Sequence, residues 1–208
     1  MRKQAYLFLK RSMDIFGALF GLIFLSPLFL AVALLVRHKL GSPVIFRQER
    51  AGKGGKPFVI YKFRTMTDER DKDGNPLPDE KRLTRFGAFL RSTSIDELPE
   101  LWNVLKGEMS LVGPRPLHMR YIERYTPEQA RRLEIRPGMT GWAQVNGRNA
   151  LTWEDRFKMD VWYVDNRNLW LDIRILLMTM LKVFKREGIS GKNHPTMEEF
   201  SGNSQKGY

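Results

Sequence analysis

The hydrophobic pattern of the chain divides into one long uninterrupted run and, after it, segments of short alternation or helical spacing. Residues 15–36, IFGALFGLIFLSPLFLAVALLV, carry no charge, and as a helix they cover the roughly 30 Å hydrocarbon core of a bilayer. The run exceeds the apolar region of a secretory signal, about 7–15 residues, and no small-residue cleavage pattern follows it before Arg37. It reads as a retained anchor. Near its middle, Ser26-Pro27 removes a backbone donor and disfavours helical geometry at the preceding residue, so a sharp kink is expected there. The Ser26 hydroxyl can satisfy a carbonyl freed one turn back. Basic residues stand on both sides, Arg2, Lys3, Lys10 and Arg11 before the run and Arg37, His38 and Lys39 after it, so the positive-inside rule gives no orientation. These residues leave two readings open: a helix that enters and leaves by one leaflet, or a tilted, kinked crossing.

Beyond the anchor, residues 44–50 (VIFRQER) and 58–66 (FVIYKFRTM) are β-branched and aromatic and flank the turn-forming AGKGGKP, which predicts a basic β-hairpin. Residues 67–81 are polar with Gly74, Pro76 and Pro78, a surface loop without the spacing of an EF-hand. Residues 82–92 place Leu83, Phe86 and Leu90 on one helical face and Arg82, Arg85 and Arg91 around the others, suiting a membrane-interface helix or an ordinary surface helix. Thr126, Pro127 and Gln129 make a capping-box start. Residues 152–164 and 171–186 read as two further helices, the second ended by Gly188, and the tail from Ile189 is polar. The expectation is an α+β fold: a mostly helical single domain with a β-hairpin, residues 41–208, on an anchor formed by residues 1–40.

Charge changes this picture. Lys and Arg number 35 against 23 Asp and Glu, a net +12 that predicts an anionic partner: nucleic acid, an acidic membrane surface or a phosphorylated substrate. The absence of cysteine and the wide spacing of His38, His118 and His194 exclude a disulfide framework and disfavour zinc. A non-catalytic, membrane-tethered binder of anionic lipid or nucleic acid is the alternative to an enzyme. Acidic residues clustered beside the basic ones, and the lack of an aromatic-basic repeat, argue against nucleic acid.

The candidate chemistry sits in residues 92–110, STSIDELPELWNVLKGEMS, where Asp96 and Glu97 precede an amphipathic run ending at Gly107. Ser94 with Glu97 fits a capping box, but Pro99 would then fall at the fifth helical position and lose a backbone bond. With Asp96 as the cap, Pro99 sits at the third position, where no intrahelical donor is needed, and this register is preferred. A carboxylate at such a position stays ionised and shares its field with bound phosphate, so it can coordinate Mg²⁺ or attack phosphorus. Arg115 stands between two prolines in a rigid turn from which a guanidinium can grip phosphate. Residues 136–149, RPGMTGWAQVNGRN, read as a Gly-rich polar loop whose backbone donors, with Arg136 and Arg148, suit an anion.

Three blocks, FRQERAGKGGKPFVIYKFRTM, RSTSIDELPELWNVLKGEMSLVGPRP and RPGMTGWAQVNGRN, resemble the signature of the bacterial sugar transferase family, the monotopic phosphoglycosyl transferases. The resemblance runs from Ser26-Pro27 to about Phe200, and the length and the TMEEFSGN segment resemble the small single-domain members, bacillosamine-type enzymes among them. It implies a re-entrant helix broken at Ser26 and Pro27, with the catalytic part on the cytoplasmic face of the bacterial inner membrane. It implies Asp96 as nucleophile on the β-phosphate of a UDP-sugar, with release of UMP. A covalent phosphosugar-aspartyl intermediate would then pass to undecaprenyl phosphate. It further implies Mg²⁺ near Asp96, Glu97 as its partner, and Lys62, Arg91, Arg115 and Arg148 in the phosphate region. The expected partners are therefore a UDP-sugar, undecaprenyl phosphate and membrane lipids, and not nucleic acid.

Overall fold

A computed structural model describes residues 2–147, 151–185 and 199–202. The chain opens with two consecutive helices, α1 (Arg2–Phe24) and α2 (Ser26–Leu40), and a hairpin of β1 (Ile45–Ala51) and β2 (Pro57–Phe63) follows. Next come α3 (Asp79–Arg82), α4 (Arg85–Ser92) and α5 (Glu100–Lys106), then β3 (Ser110–Val112), α6 (Pro127–Ala130) and β4 (Gly138–Thr140). Helices α7 (Trp142–Asn146), α8 (Trp153–Asn166) and α9 (Leu169–Lys185) complete the described chain. The fold is mostly helical with small sheets, as the α+β pattern predicts.

α1 and α2 meet at Leu25 and are bent by 62°. The bend has the local cause the dipeptide predicts. Pro27 cannot donate to the carbonyl of Ile23, and the Ser26 hydroxyl donates to it instead at 2.7 Å. No single described helix is long and apolar enough to cross a membrane, whereas Gln4–Phe24 and Ser26–Leu40 together meet that length and composition. One side of the pair is solvent-facing and apolar: Phe16, Phe20, Phe24, Leu30 and Leu34 are between 62% and 71% exposed.

The other side of the pair is built into the rest of the chain. Asp14 of α1 is buried and accepts hydrogen bonds from the Ser110 hydroxyl and the Leu111 amide, each at 2.9 Å. Arg11 donates to the carbonyls of Val104 and Leu105 at 2.8 and 2.9 Å, placing a cation on the negative end of α5. Gly17 and Gly21 let α1 approach closely, because a Cβ there would lie 2.7 Å from Leu111 and 2.9 Å from Leu101. Ala18 thereby joins Phe58, Ile60, Leu101, Val104 and Met109 in one core cluster, and Val32, Val36 and Leu40 of α2 pack with Phe63 and Leu90 in another.

The hairpin is antiparallel, with Phe46 opposite Lys62 and Arg50 opposite Phe58. The capping box at Thr126 and Gln129 is present, and Thr152 caps α8 by accepting from the Asp155 amide. Two segments differ from expectation. The amphipathic helix starts at Arg85 rather than residue 82, because Thr84 caps it by accepting from the Gly87 amide at 3.0 Å, while Leu83 is extended and bridges to Met66. The segment from residue 136 is not a loop: β4 pairs in parallel with β3, and α7 follows. Three-residue strands are too short for a periodic signal, and their pairing partners lie far apart in sequence. Arg148, the end of the last helix at Gly188 and, in the tail, residues 189–198 and 203–208 lie outside the described residues.

α4 sits against the strand exit so closely that a Cβ on Gly87 would stand 1.8 Å from the Thr65 carbonyl oxygen. Backbone cannot move aside as a side chain can. Gly87→Ala is expected to cost about 3 kcal/mol, a fall in Tm of roughly 6–12 °C at this size in a thermal melt; an unchanged Tm would show that α4 is not held there.

Candidate active site

The turn that carries Asp96 begins with Ser94 in the left-handed region, at φ 55°. A 3₁₀ turn, Ile95–Glu97, follows, held by bonds from the Glu97 amide to Ser94 and from the Leu98 amide to Ile95, each 3.2 Å. Pro99 has no amide to continue the series, and α5 starts after it. Neither Ser94 nor Asp96 caps a helix with its side chain. The register predicted from Pro99 is therefore corrected: Asp96 lies inside the 3₁₀ turn, since the reversal at Ser94 starts the turn one residue earlier. Glu97, at the end of this turn, and Glu100, at the start of α5, reach the same cation. Lys62 Nζ lies 2.6 Å from Glu97 and 3.1 Å from Glu100.

Lys62 is held there by a contact that does not touch it. Asn103, fully buried on α5, accepts from the Tyr61 amide at 3.2 Å and donates to the Val59 carbonyl at 2.7 Å and to Glu108 at 2.8 Å. This clamps β2 against α5 and fixes which hairpin face meets the acids. On the other side of Glu97, Arg115 Nη2 donates to the same carboxylate oxygen at 2.6 Å. Its turn is fastened by a bond from the Gly138 amide to Pro114 at 2.9 Å and by Arg132, which donates to the Arg115 carbonyl at 2.7 Å while paired with buried Asp160. Arg91 of α4 donates to the Thr65 hydroxyl at 3.0 Å.

The three carboxyl groups are driven apart. Burial pushes Asp96 up to about 6, helped by the charge of Glu97, although Lys62, Arg91 and Arg115 pull the other way. Burial also raises Glu97, but Arg115 and Lys62 together outweigh it and hold this carboxyl well below the usual range. Glu100, buried and sharing Lys62, is pushed up to about 7 by its burial and then by Glu97. Glu97 is thus a fixed anion between two cations. Asp96, only 7% exposed, makes no hydrogen bond or ion pair among the described residues. A carboxyl group near neutrality, surrounded by cations and free of partners, is available to a ligand.

The structure brings Lys62, Arg91, Asp96, Glu97 and Arg115 into one cluster, as the sequence motifs suggest. Arg136 lies elsewhere, donating to the Gly107 carbonyl at 2.8 Å. Glu100, Asn103, Arg132 and Asp160 escape a reading from sequence alone, although Glu100 stands three residues after Glu97 and that spacing was a signal. Among the described residues no group of three or more His, Cys, Asp or Glu is placed to hold a metal ion.

The fold and site define a small α+β domain with a bent apolar helix pair and a buried cluster of cations and carboxylates. The chain belongs to the bacterial sugar transferase family, whose model matches residues 5–186. It is 58% identical over 194 residues to the uncharacterized sugar transferase EpsL of Bacillus subtilis, covering 93% of this chain and 96% of that one. It is 41% identical to the undecaprenyl-phosphate galactose phosphotransferase of Salmonella typhimurium, over 90% of this chain and 43% of that protein. It is also 41% identical to the UDP-glucose:undecaprenyl-phosphate glucose-1-phosphate transferase of Xanthomonas campestris, over 88% of this chain and 40% of that protein. The chain therefore spans less than half the length of these two relatives. Their names carry different sugars at the same identity, so overall likeness does not select a donor.

Proposed function

We propose that this chain is a UDP-sugar:undecaprenyl-phosphate sugar-1-phosphate transferase that works through a covalent phosphosugar on Asp96. The observation that carries the reading is the free, buried Asp96 carboxyl set among Lys62, Arg91 and Arg115 while Glu97 is taken by Lys62 and Arg115. In the first half-reaction an Asp96 oxygen attacks the β-phosphorus of the UDP-sugar, the bond from that phosphorus to the bridging oxygen breaks, and UMP leaves with the electron pair. In the second, an oxygen of undecaprenyl phosphate attacks the same phosphorus, and the Asp96 carboxylate departs. One small site thus serves a soluble donor and a lipid acceptor in turn. Lys62, Arg91 and Arg115 offset the charge of an anion attacking an anion.

Mg²⁺ belongs to this proposal. Such sites take one or two carboxylates and fill the remaining positions with phosphate oxygens and water rather than a protein cage. Asp96, the carboxyl left free, suits that donor set, and the bound ion would neutralise charge on the diphosphate. The bent pair α1 and α2, with its apolar outward side, is proposed to enter and leave one leaflet as a re-entrant anchor for the part of the chain from residue 41. Both ends would then lie on the cytoplasmic face of the bacterial inner membrane, and the site would stand at headgroup height.

The experiment is incubation with a panel of UDP-sugars and Mg²⁺, read as UMP release and by intact mass. The expected result is UMP release from one donor class together with a phosphosugar mass on the protein; UMP release with no adduct under rapid quench would overturn the covalent route. A pH profile adds a second reading. The nucleophile must be ionised, so with its pKa at about 6 the rate of UMP release in the first half-reaction is expected to be flat above pH 7. It should fall about tenfold per unit below pH 6, and a rate independent of pH from 5 to 8 would exclude Asp96 as the ionising group.

A further inference from the structure

We propose that Arg50 and Arg156 join Arg115 in a second phosphate subsite contiguous with Asp96, which takes the phosphate of the departing nucleotide. The inference rests on the transferase reading and extends it to Arg50, to which the family resemblance assigns no role, and to Arg156, which lies outside the three motif blocks.

Strand β1 and helix α8 bring Arg50 and Arg156 each within reach of the charge of Arg115. Arg50 is near the end of β1, opposite Phe58, and the pleat puts Arg50, Phe58, Ile60 and Lys62 on the same hairpin face. Phe58 and Ile60 pack into the core against Leu101 and Val104, so this face looks toward α5 and the acids. The Ala51 amide donates to the Leu117 carbonyl at 2.9 Å, tying this end of β1 to the chain just after the Arg115 turn. Arg156, 8% exposed in the first turn of α8, lies with its guanidinium 5.2 Å from the Trp153 ring centre. Four residues on, Asp160 binds Arg132, and Arg132 holds the Arg115 carbonyl, so α8 and the Arg115 turn are joined directly.

Among the described residues Arg50 is left without an acid at this place. Arg115 is paired with Glu97 and Arg132 with Asp160. Arg50 has one hydrogen bond, from Nη2 to Gln48 at 2.5 Å, and no acid at ion-pair distance among the described residues. Burial and then the neighbouring charge of Arg115 lower both Arg50 and Arg156 to about 10. His118 feels the same field: burial, then Arg50 and Arg120, push it down to about 4, which leaves a neutral imidazole beside the arginines. Like-charged guanidiniums held together by burial are a cost to the free protein that a bound phosphate would offset. Planar bidentate donors suit its oxygens.

Position selects the nucleotide over the lipid. Lys62 is next to Phe63, and Arg91 next to Leu90, residues that pack on α2. Arg50 stands at the other end of the hairpin, five residues beyond Ile45, or about 16 Å of strand. Asp96 therefore has a cationic arm toward the helix pair and another leading away from it.

The test is UMP binding to the full chain in detergent by calorimetry, with uridine and undecaprenyl phosphate as the other arms, for Arg50→Gln, Arg156→Gln and Arg156→Lys. Each Gln variant is expected to weaken UMP about 10- to 100-fold, to leave uridine binding as weak as in the parent, and to leave the affinity for undecaprenyl phosphate unchanged. Arg156→Lys should fall between parent and Gln. Parent-like UMP affinity in Arg50→Gln, whose Tm should hold because a repelling charge is removed, would overturn the subsite. So would loss confined to the lipid phosphate arm. Failure of the transferase reading looks different: the parent itself would then neither release nor bind UMP.

Discussion

Asp96→Asn is expected to abolish UMP release and the phosphosugar adduct, by at least about 10³-fold, while making the protein more stable at pH 8. Both effects come from one property. The nucleophile is needed as an anion, and its removal takes away the covalent route altogether. Yet the fold disfavours that anion, since burial and Glu97 raise the Asp96 pKa from 3.8 to about 6. The sign follows from proton linkage. Between those two values the folded state binds more protons than the unfolded one, so Asp96 makes stability fall as pH rises through that window, and the penalty is complete above pH 6. Asparagine, neutral at every pH, escapes a penalty on the order of 3 kcal/mol, which should raise Tm by roughly 6–12 °C at pH 8 and by little at pH 4. A thermal melt at both pH values decides it. Residual UMP release in the variant would sink the nucleophile assignment, and a lower Tm at pH 8 would show that Asp96 is a structural anion instead.

The largest stability loss should come from Lys62→Met. Lys62 stands between Glu97 and Glu100, and Glu100 has its one ion pair among the described residues there. Removing one partner of a buried pair leaves an uncompensated charge, at a cost of about 3–5 kcal/mol, or roughly 6–20 °C in Tm. Glu100 is already pushed up to about 7, and without Lys62 it rises further. Protonation can then relieve the penalty, so the loss should be larger at pH 8 than at pH 6. Adding Glu100→Gln should recover most of it, with the double-mutant cycle reporting the coupling. If Lys62→Met melts with the parent at pH 8, the cation is not holding the acids together. Donor turnover should fall in Lys62→Met even where Glu100→Gln restores the Tm, because Lys62 also acts on Asp96.

Much of this site was legible locally. Ser26-Pro27 announces the bend because proline's missing donor and serine's hydroxyl act within one turn, and the Ser26 to Ile23 bond is where that logic places it. The hairpin, the Thr126 capping box and the cap at Thr152 are likewise decided by residues within a few positions of each other. Asp96, Glu97 and Arg115 stand out by residue type and local spacing, and the family resemblance adds Lys62 and Arg91. The capping register was not legible. Whether Asp96 begins a helix depends on the left-handed Ser94, which the sequence does not mark with a glycine.

The sequence by itself determined the apolar run and its break, the period of the longer elements and the identity of the charges, because these depend on neighbours along the chain. Only the tertiary structure decided which carboxyl is free. Asn103 clamps β2 to α5 and so puts Lys62 between Glu97 and Glu100. Arg132 and Asp160 fasten the turn that brings Arg115 to Glu97. Asp14 seats the first helix on β3 beside them. Each of these contacts joins residues from separate elements, and burial then turns their proximity into unequal proton affinities. Charge pairing over such separations is set by packing, which no local pattern encodes, and it leaves Asp96 without a partner among the described residues.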